Sequence, residues 1–170
     1  MGYKRNIFIS KMKIETYDGK EQKEIDCIGC AIESGNTNPM KGTIIKTKFF
    51  DVHQDFEVPI PGFIIVTSRR HFLSISDFTE EEQIEFITLI SKIRKGMKDV
   101  LNIEEAYLFQ NEDSRHHFHL WMFPRYDWME KFGRKIESVR PILKYAKENL
   151  KTKENLILVE EAVLKMKKYM

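Results

Sequence analysis

The segment Ser114–Arg125, SRHHFHLWMFPR, constrains the fold of this chain more than any other stretch. It carries three of the five histidines within four positions, in a run that is otherwise largely aromatic and aliphatic. Side chains alternate between the two faces of a β-strand. If residues 117–123 form one, the first face carries His117, His119, Trp121 and Phe123, and the second carries His116, Phe118, Leu120 and Met122. The second face is typical of a hydrophobic core. The first places two imidazoles side by side on rigid backbone, where a catalytic or metal site belongs.

Other strands are predicted on the N-terminal side of this segment. Residues 43–68 are rich in Ile, Val, Phe and Thr and are broken by two prolines and a glycine at 59–62. This pattern indicates two or three antiparallel strands with a turn. Residues 104–110 and 117–123 are joined by a short polar link, so we expect them to pair as an antiparallel hairpin.

Helical periodicity appears in three places. A capping box of Thr79 and Glu82 opens a long helix whose apolar residues recur at helical spacing. Residues 136–150 and 152–170 predict two further helices, the first with Pro141 tolerable only in its first turn. The apolar stripe of the last helix indicates packing on its own core or on a partner subunit rather than a membrane role. This stripe consists of Leu156, Val159, Val163, Met166 and Met170.

These patterns predict an α+β domain. We expect an antiparallel sheet of about five strands with one long helix packed on it, over residues 1–130. Residues 131–170 are expected to form a helical C-terminal extension of the same domain. A chain of 170 residues can bury a substantial core without disulfides.

Composition excludes several classes of protein. The 28 Lys and Arg nearly balance the 26 Asp and Glu, which argues against a nucleic-acid-binding protein. No stretch approaches the roughly 20 apolar residues that a membrane span needs. The N-terminus has no small-residue cleavage site of the kind that follows a signal peptide, so a cytoplasmic protein is expected.

The only two cysteines suggest a metal site. Cys27 and Cys30 form a C-x-x-C pair, which in a reducing compartment is metal-binding or redox-active more often than a disulfide. Structural zinc is four-coordinate with Cys and His ligands. His71 and one of the strand histidines are the natural remaining candidates. His53 and His116, taken alone, are interpreted as ordinary hydrogen-bonded polar residues.

Three separate motifs resemble the histidine-triad superfamily. HFHLWMFPR resembles its H-x-H-x-H signature, and CIGCAIESG is similar to its N-terminal C-x-x-C helix. PGFIIVTSRRHFLSISDFTEEE resembles its run of glycine, strand, basic pair, histidine and helix start. The resemblance covers about Cys27 to Arg125, in the family's order. Of two possible registers we adopt the one with His117, His119 and Trp121 at the three triad positions, because it also aligns Ser114 and Pro124-Arg125.

The resemblance implies a histidine-triad fold and a set of site residues. His119 is implied as the nucleophile that attacks the α-phosphorus of a nucleotide. Ser114 matches a position that contacts the substrate phosphate, and Asp55 matches a carboxylate that holds ribose hydroxyls, with Asp51 as a second candidate. The family's zinc-containing members have ligands that match Cys27, Cys30, His71 and His117. One structural Zn²⁺ per chain and a homodimer with a sheet continued across its two-fold axis are also implied.

The implied function is that of a nucleotide hydrolase or nucleotidyltransferase acting through a nucleotidyl-histidine intermediate. Dinucleoside polyphosphates such as diadenosine tetraphosphate are the first substrate class, and nucleoside phosphoramidates are the second. The sequence departs from the family at Trp121, where His or Gln is usual, because an indole N–H can only donate a hydrogen bond. Phe63 also stands where many relatives carry histidine. The alternative is a nucleotide-binding or regulatory protein of the same fold with little turnover.

Overall fold

The computed structural model describes residues 12–16, 19, 22–38, 42–113 and 117–170. The strands, in chain order, are β1 (Met12–Glu15), β2 (Gln22–Ile25), β3 (Ile45–Lys46), β4 (Phe50–Gln54), β5 (Ile64–Ser68), β6 (Ala106–Phe109) and β7 (His119–Pro124). The helices are α1 (Ile28–Glu33), α2 (Glu80–Leu101), α3 (Ile136–Asn149) and α4 (Lys153–Tyr169). Short 3-10 turns occupy Ile75–Asp77 and Asp127–Phe132.

Five of these strands form one antiparallel sheet in the order β3-β4-β5-β7-β6. This arrangement confirms the predicted α+β fold. The β1–β2 pair is a separate hairpin that the sequence did not predict. In the central register Thr67 of β5 lies opposite His119 of β7, and His53 of β4 lies opposite Ile65 of β5.

Helices α2 and α4 cover one face of the sheet. The predicted capping box starts α2, since the Thr79 side chain accepts from the Glu82 N–H and the Glu82 carboxylate accepts from the Thr79 N–H at 2.7 Å. Phe86 and Ile93 of α2 pack with Met166 of α4 in the same buried cluster as the inward residues of the sheet. Val163 and Met166 of the predicted stripe on α4 are thus part of the chain's own core, with Met170 packed against it.

Helix α3 packs against the opposite face. Val139, Ile142 and Ala146 form a buried cluster with Phe63 and Phe123. One detail differs from the prediction: Pro141 lies in the second turn of α3 rather than the first. Ile136, the first residue of α3, is 61% exposed. The C-terminal helices therefore cover both faces of the sheet, and α3 covers only part of the face that carries His119.

None of the helices in the described part of the chain combines the length and the apolarity that crossing a membrane requires.

Candidate active site and metal centre

Four side chains from three separate segments converge beside the start of β7. Cys27 and Cys30 come from the start of α1, His71 follows β5, and His117 precedes β7. Their ligand atoms all lie within 4.8 Å of one another. Cys27 Sγ is 3.6 Å from His71 Nδ1 and 3.5 Å from His117 Nδ1. Cys30 Sγ lies 3.3 Å from His71 Nδ1 and 3.5 Å from His117 Nδ1. We call this group the metal cluster.

The metal cluster fits a tetrahedral zinc ion. Zinc bonds of about 2.3 Å to sulfur and about 2.0 to 2.1 Å to nitrogen place the S and N ligands of a tetrahedral site about 3.6 Å apart. The four S···N distances in the cluster lie between 3.3 and 3.6 Å. Both histidines present Nδ1 to the thiols, so the donor set and its spacing match a Cys₂His₂ site.

Helix α1 positions the two thiols. Cys27 is the N-cap, and its Sγ accepts from the backbone N–H of Cys30 at 3.5 Å. Gly29 lies between them against His117: a Cβ at Gly29 would come within 2.6 Å of His117 Nδ1. Real Cβ atoms do not approach other atoms that closely, so only glycine lets the imidazole reach the thiols. The sequence reasoning missed Gly29, although its place inside the C-x-x-C pair was a usable signal.

The two thiols differ in acidity without a metal. Burial opposes ionisation of Cys27, but hydrogen bonds from His117 and from the Cys30 backbone outweigh it and lower the pKa of Cys27 to about 5. Burial and the neighbouring Cys27 thiolate raise the pKa of Cys30 to about 11. The cluster therefore carries one thiolate by itself, and a coordinated cation would ionise the second.

Ion pairs hold the segment that carries His71. Arg69 donates to both carboxylate oxygens of Glu33 in α1, with Nη2 to Oε1 at 3.0 Å. Arg70 donates to the buried carboxylate of Glu82 at 2.6 and 2.8 Å. The two arginines thus tie this segment to α1 on one side and to α2 on the other.

A cavity of about 170 Å³ adjoins the metal cluster, and His119 is one of the residues that line it. The Nδ1 of His119 is 2.9 Å from the backbone carbonyl oxygen of His117. A carbonyl can only accept, so Nδ1 carries a proton, and in the neutral ring the lone pair is then on Nε2. The ring nitrogen that a nucleophile needs is thereby defined by the backbone of a metal-cluster residue.

His53 and Thr67 lie in the same cavity. His53 Nδ1 is 3.0 Å from the carbonyl oxygen of Gln54, and its Nε2 is 3.3 Å from Thr67 Oγ1. Burial lowers the pKa of His53, so the ring is neutral near pH 7. Sequence reasoning treated His53 as an ordinary hydrogen-bonded residue. Its position two residues before Asp55 on a strand was the signal that both share a face.

Aromatic and aliphatic side chains form the walls of the cavity. Trp121 packs edge-on against Phe63, with ring centroids 5.4 Å apart. Trp121 and Phe63, the two departures from the histidine-triad pattern, are therefore in contact. Both also pack in the buried cluster beneath α3, which adjoins the cavity at this point. The remaining apolar wall residues are Ile28, Phe56 and Ile65.

Asp55 also lines the cavity, whereas Asp51 does not. Asp55 Oδ1 accepts from the backbone N–H groups of Glu57 and Val58, at 2.9 and 2.7 Å. Burial nonetheless raises the pKa of Asp55 to about 7. Asp51 accepts from the hydroxyl of Thr43 at 3.0 Å instead. Ser114, the predicted phosphate contact, lies outside the described residues.

The fold is that of histidine-triad proteins. No protein-family model matches the chain, and no curated protein matches its sequence. Among solved structures it is similar to a Zn-bound histidine triad family protein from Mycobacterium smegmatis, with 18% identity, a TM-score of 0.56, and coverage of 85% of this chain and 97% of the other. A HIT family protein from Bacillus anthracis gives 23% identity, a TM-score of 0.55, and 81% and 94% coverage. A hypothetical histidine triad nucleotide-binding protein from Sulfolobus tokodaii gives 16% identity, a TM-score of 0.53, and 83% and 94% coverage.

Proposed function

We propose that this protein is a nucleotide hydrolase or nucleotidyltransferase that acts at an α-phosphorus through a nucleotidyl-His119 intermediate. Dinucleoside polyphosphates, of which diadenosine tetraphosphate is the example, are the proposed substrates, with nucleoside phosphoramidates as a second class. The proposal extends the fold likeness to a protein named as nucleotide-binding. It assigns this chain to the zinc-containing branch, with Trp121 at the third triad position.

The hydrogen bond from His119 Nδ1 to the His117 carbonyl carries this proposal. It keeps the lone pair on Nε2 of a ring that lines a cavity. A neutral imidazole with a defined tautomer is a competent nucleophile at pH 7.

The first step follows from this geometry. The lone pair of His119 Nε2 forms a bond to the α-phosphorus, and the bond from phosphorus to the leaving group breaks with its electron pair. A leaving phosphate oxygen departs as an anion, whereas a leaving nitrogen takes a proton from water and departs as the neutral amine. The ring gains positive charge as the P–N bond forms. The Nδ1–H bond to the His117 carbonyl becomes charge-assisted and stabilises that charge. Water or a second acceptor then takes the nucleotidyl group.

Zinc has a structural role in this proposal. Cys27, Cys30, His71 and His117 would hold one ion per chain, with no position left for water. Bound zinc supplies a cross-link between α1, the segment after β5 and the start of β7. Since the carbonyl of His117 orients His119, fixing His117 also fixes the nucleophile.

Three further residues have proposed roles in substrate binding. Asp55 would accept hydrogen bonds from the ribose hydroxyls, and Ser114 would contact the phosphate. Trp121 can donate its indole N–H to a phosphate oxygen but cannot accept a proton. The cavity, at about 170 Å³, is smaller than the roughly 300 to 1,000 Å³ of a complete ligand pocket, so a nucleotide would extend beyond it.

We also propose a homodimer formed through the edge strand β6. The sheet has β3 and β6 at its edges. β3 has only two residues, whereas β6 has four and exposes Leu108 by 48%. A second copy could therefore continue the sheet at β6. The mass of the protein in solution, compared with that of a Leu108→Lys variant, tests this.

Product analysis tests the catalytic proposal. Wild type, His119→Ala and a Ser68→Ala control are each incubated with diadenosine tetraphosphate and with adenosine phosphoramidate, and the products are separated by chromatography. Ser68 follows Thr67 on β5 and its hydroxyl donates to the Arg70 carbonyl rather than entering the cavity. We expect wild type and Ser68→Ala to form adenosine monophosphate and His119→Ala to form none.

Two results would contradict the proposal. Turnover that persists in His119→Ala would require another nucleophile. Binding of adenosine monophosphate by all three proteins, without any product, would favour a nucleotide-binding protein in which Trp121 has ended turnover.

A further inference from the structure

We propose that Thr67 and His53 form a proton-accepting pair, with Thr67 contacting the water that hydrolyses the nucleotidyl-His119 intermediate and His53 receiving the proton through Thr67. This inference rests on the proposed function, and it assigns the second half-reaction to residues outside the triad. We call His53 and Thr67 the relay pair.

The register of the sheet places the relay pair beside the nucleophile. Thr67 is directly opposite His119 in the antiparallel β5–β7 pair, so both side chains project from the same face with Cβ atoms about 5 Å apart. His53 reaches Thr67 from the next strand, β4. All three residues line the same cavity.

The hydrogen-bond directions in the relay pair follow from a fixed chain of donors. The Gln54 carbonyl can only accept, so His53 Nδ1 carries the proton and His53 Nε2 accepts. The Thr67 hydroxyl must then donate to His53 Nε2, over 3.3 Å. The lone pairs of Thr67 Oγ1 can then accept a hydrogen bond from a donor in the cavity. Thr67 therefore presents an acceptor next to His119, which suits a water molecule that must lose a proton.

Trp121 leaves the second half-reaction without a base at the third triad position. Its indole N–H donates only, so it cannot take a proton from water. His53 is a neutral imidazole that can. The buried relay pair is also hard to explain by packing, since two apolar side chains would fill the same space without needing a hydrogen bond.

The proposed step balances in atoms, protons and electrons. The water oxygen forms a bond to phosphorus, and the P–Nε2 bond breaks with its electron pair returning to His119. One water proton moves to Thr67 Oγ1 as the Thr67 proton moves to His53 Nε2. The other proton stays on the nucleotide product. His53 leaves the step as an imidazolium and returns its proton to solvent after the product departs.

The charged groups around His53 are compatible with this role. Asp51, two residues away on the same strand, favours the imidazolium through its negative charge, whereas His119 opposes it. Asp55 and Glu57 line the same cavity. A group that is neutral at rest and has a carboxylate nearby is suited to accept a proton transiently.

A single-turnover experiment separates the two half-reactions. Diadenosine tetraphosphate labelled at the α-phosphates is mixed with excess enzyme, and an alkaline quench preserves the acid-labile P–N bond. Labelled protein and labelled adenosine monophosphate are then followed over time. The proteins are wild type, His53→Phe, Thr67→Val, the conservative Thr67→Ser, and Ser68→Ala as the control on the same strand. Thermal unfolding establishes that each variant is folded.

We expect His53→Phe and Thr67→Val to form labelled protein within about 3-fold of the wild-type rate but to release it about 10²- to 10³-fold more slowly, so that label accumulates on His119. Thr67→Ser keeps the hydroxyl and should restore release to within about 10-fold of wild type. In wild type, the rate at which label leaves His119 should decrease as the pH is lowered below the pKa of His53. The rate in Thr67→Val should not depend on pH in this way.

The outcomes distinguish this inference from the function on which it rests. A wild type that forms no labelled protein refutes the intermediate and the relay pair together. A wild type that forms and hydrolyses the intermediate, with both variants releasing label at its rate, refutes only the relay pair. Equal slowing of formation and release would also refute it, because that pattern indicates damage to His119 itself. If His53→Phe does not fold, Thr67→Val alone still tests the relay pair, because it removes the hydroxyl that connects the water to His53.

Discussion

The metal cluster and the cavity use histidine in opposite ways. In the metal cluster, His71 and His117 present Nδ1 to the two thiols. In the cavity, His53 and His119 direct Nδ1 to backbone carbonyls and so keep the lone pair on Nε2. The two sites are joined at His117, whose side chain belongs to the cluster and whose carbonyl orients His119.

This difference indicates which residues stabilise the fold. Four side chains with metal-like spacing would gain binding free energy from an ion, and that free energy would add to folding stability. The cavity does the reverse, because it buries a carboxyl and a neutral imidazole whose ionised forms are disfavoured there. Substitutions in the two sites should therefore change stability in opposite directions.

Removing both thiols should have the largest effect on stability. In the double variant Cys27→Ser, Cys30→Ser we expect one zinc per chain to be lost. Because structural zinc sites bind strongly, the free energy of unfolding should fall by about 5 kcal/mol or more. Elemental analysis and thermal unfolding measure the two quantities. A Ser34→Ala variant, at the C-cap of the same helix, serves as control. Unchanged metal content and stability in the double variant would contradict the structural-zinc proposal.

Gly29→Ala tests whether the approach of His117 to the thiols is as close as the structure indicates. The new Cβ would overlap the His117 ring, which must shift. We expect zinc affinity to fall by about 10- to 100-fold, as for other changes that misplace a ligand. A chelator competition measures this. Since the His117 carbonyl would move with its ring, nucleotidyl-His119 formation should slow as well. Zinc affinity equal to wild type would mean that α1 adjusts without cost.

The sequence predicted which four side chains lie together, but not the geometry that unites them. Spacing singled out Cys27 and Cys30 and left the strand histidine open, and the family resemblance then indicated His71 and His117. Gly29 belongs to no such spacing, because the need for glycine arises from the ring of a residue 88 positions away (117 − 29). A contact of this kind appears only after the chain has folded.

The same limit applies to the cavity. Alternation along 117–123 correctly separated His119 and Trp121 from the core-facing residues, since a strand has a fixed period of two. Whether His53 contacts a given partner depends on the register between β4 and β5, which no local pattern specified. The N-terminal β1–β2 hairpin was missed because its four-residue strands, MKIE and QKEI, have few of the β-branched and aromatic residues that mark a strand.

Asp55→Asn tests the prediction that a substitution in the cavity can raise the free energy of unfolding, whereas a substitution in the metal cluster lowers it. The pKa of Asp55, about 7 in the folded protein, is raised above its ordinary value of 3.8. The contribution of Asp55 to the free energy of unfolding is therefore most favourable below pH 4 and is lost as pH rises through 7. We expect Asp55→Asn to stabilise the protein at pH 8 by about 2 kcal/mol, and to be neutral at pH 4. Chemical denaturation at the two pH values measures this.

The same variant should weaken function. Asparagine keeps an acceptor for the Glu57 and Val58 N–H groups, but it replaces a carboxylate oxygen with an amide donor. Binding of adenosine monophosphate should weaken by about 10-fold at pH 8, because a ribose hydroxyl loses a charged acceptor. Asp51→Asn, which lies outside the cavity, is the matched control for binding. If Asp55→Asn were less stable than wild type at pH 8, the predicted stabilisation would be wrong. If it bound adenosine monophosphate as tightly as wild type, the proposed role of Asp55 in binding would be wrong.

Glu82→Gln should have the smallest effect, and it separates the metal cluster from the ion pair beside it. Hydrogen bonds from Arg70, and then from the Thr79 N–H, lower the pKa of Glu82 from 4.5 to about 2 despite its burial. Its contribution is therefore complete above pH 4.5 and is lost as pH falls through 2. Since the Arg70 side chain is 47% exposed, solvent screening reduces the expected loss in Glu82→Gln at pH 7 to about 1 kcal/mol.

Zinc itself leaves at low pH, because its ligands must be deprotonated. The informative quantity is therefore the difference in unfolding free energy between wild type and Glu82→Gln, in which the loss of metal cancels. We expect this difference to shrink towards zero from pH 4.5 to pH 2, while zinc content at pH 7 stays at one per chain in both proteins. Glu81→Gln, the exposed neighbour paired with Lys48, should differ from wild type by less than about 0.5 kcal/mol throughout. Loss of zinc from Glu82→Gln at pH 7 would instead show that Arg70 positions His71, and that the stability of the metal cluster depends on α2 as well as on its four ligands.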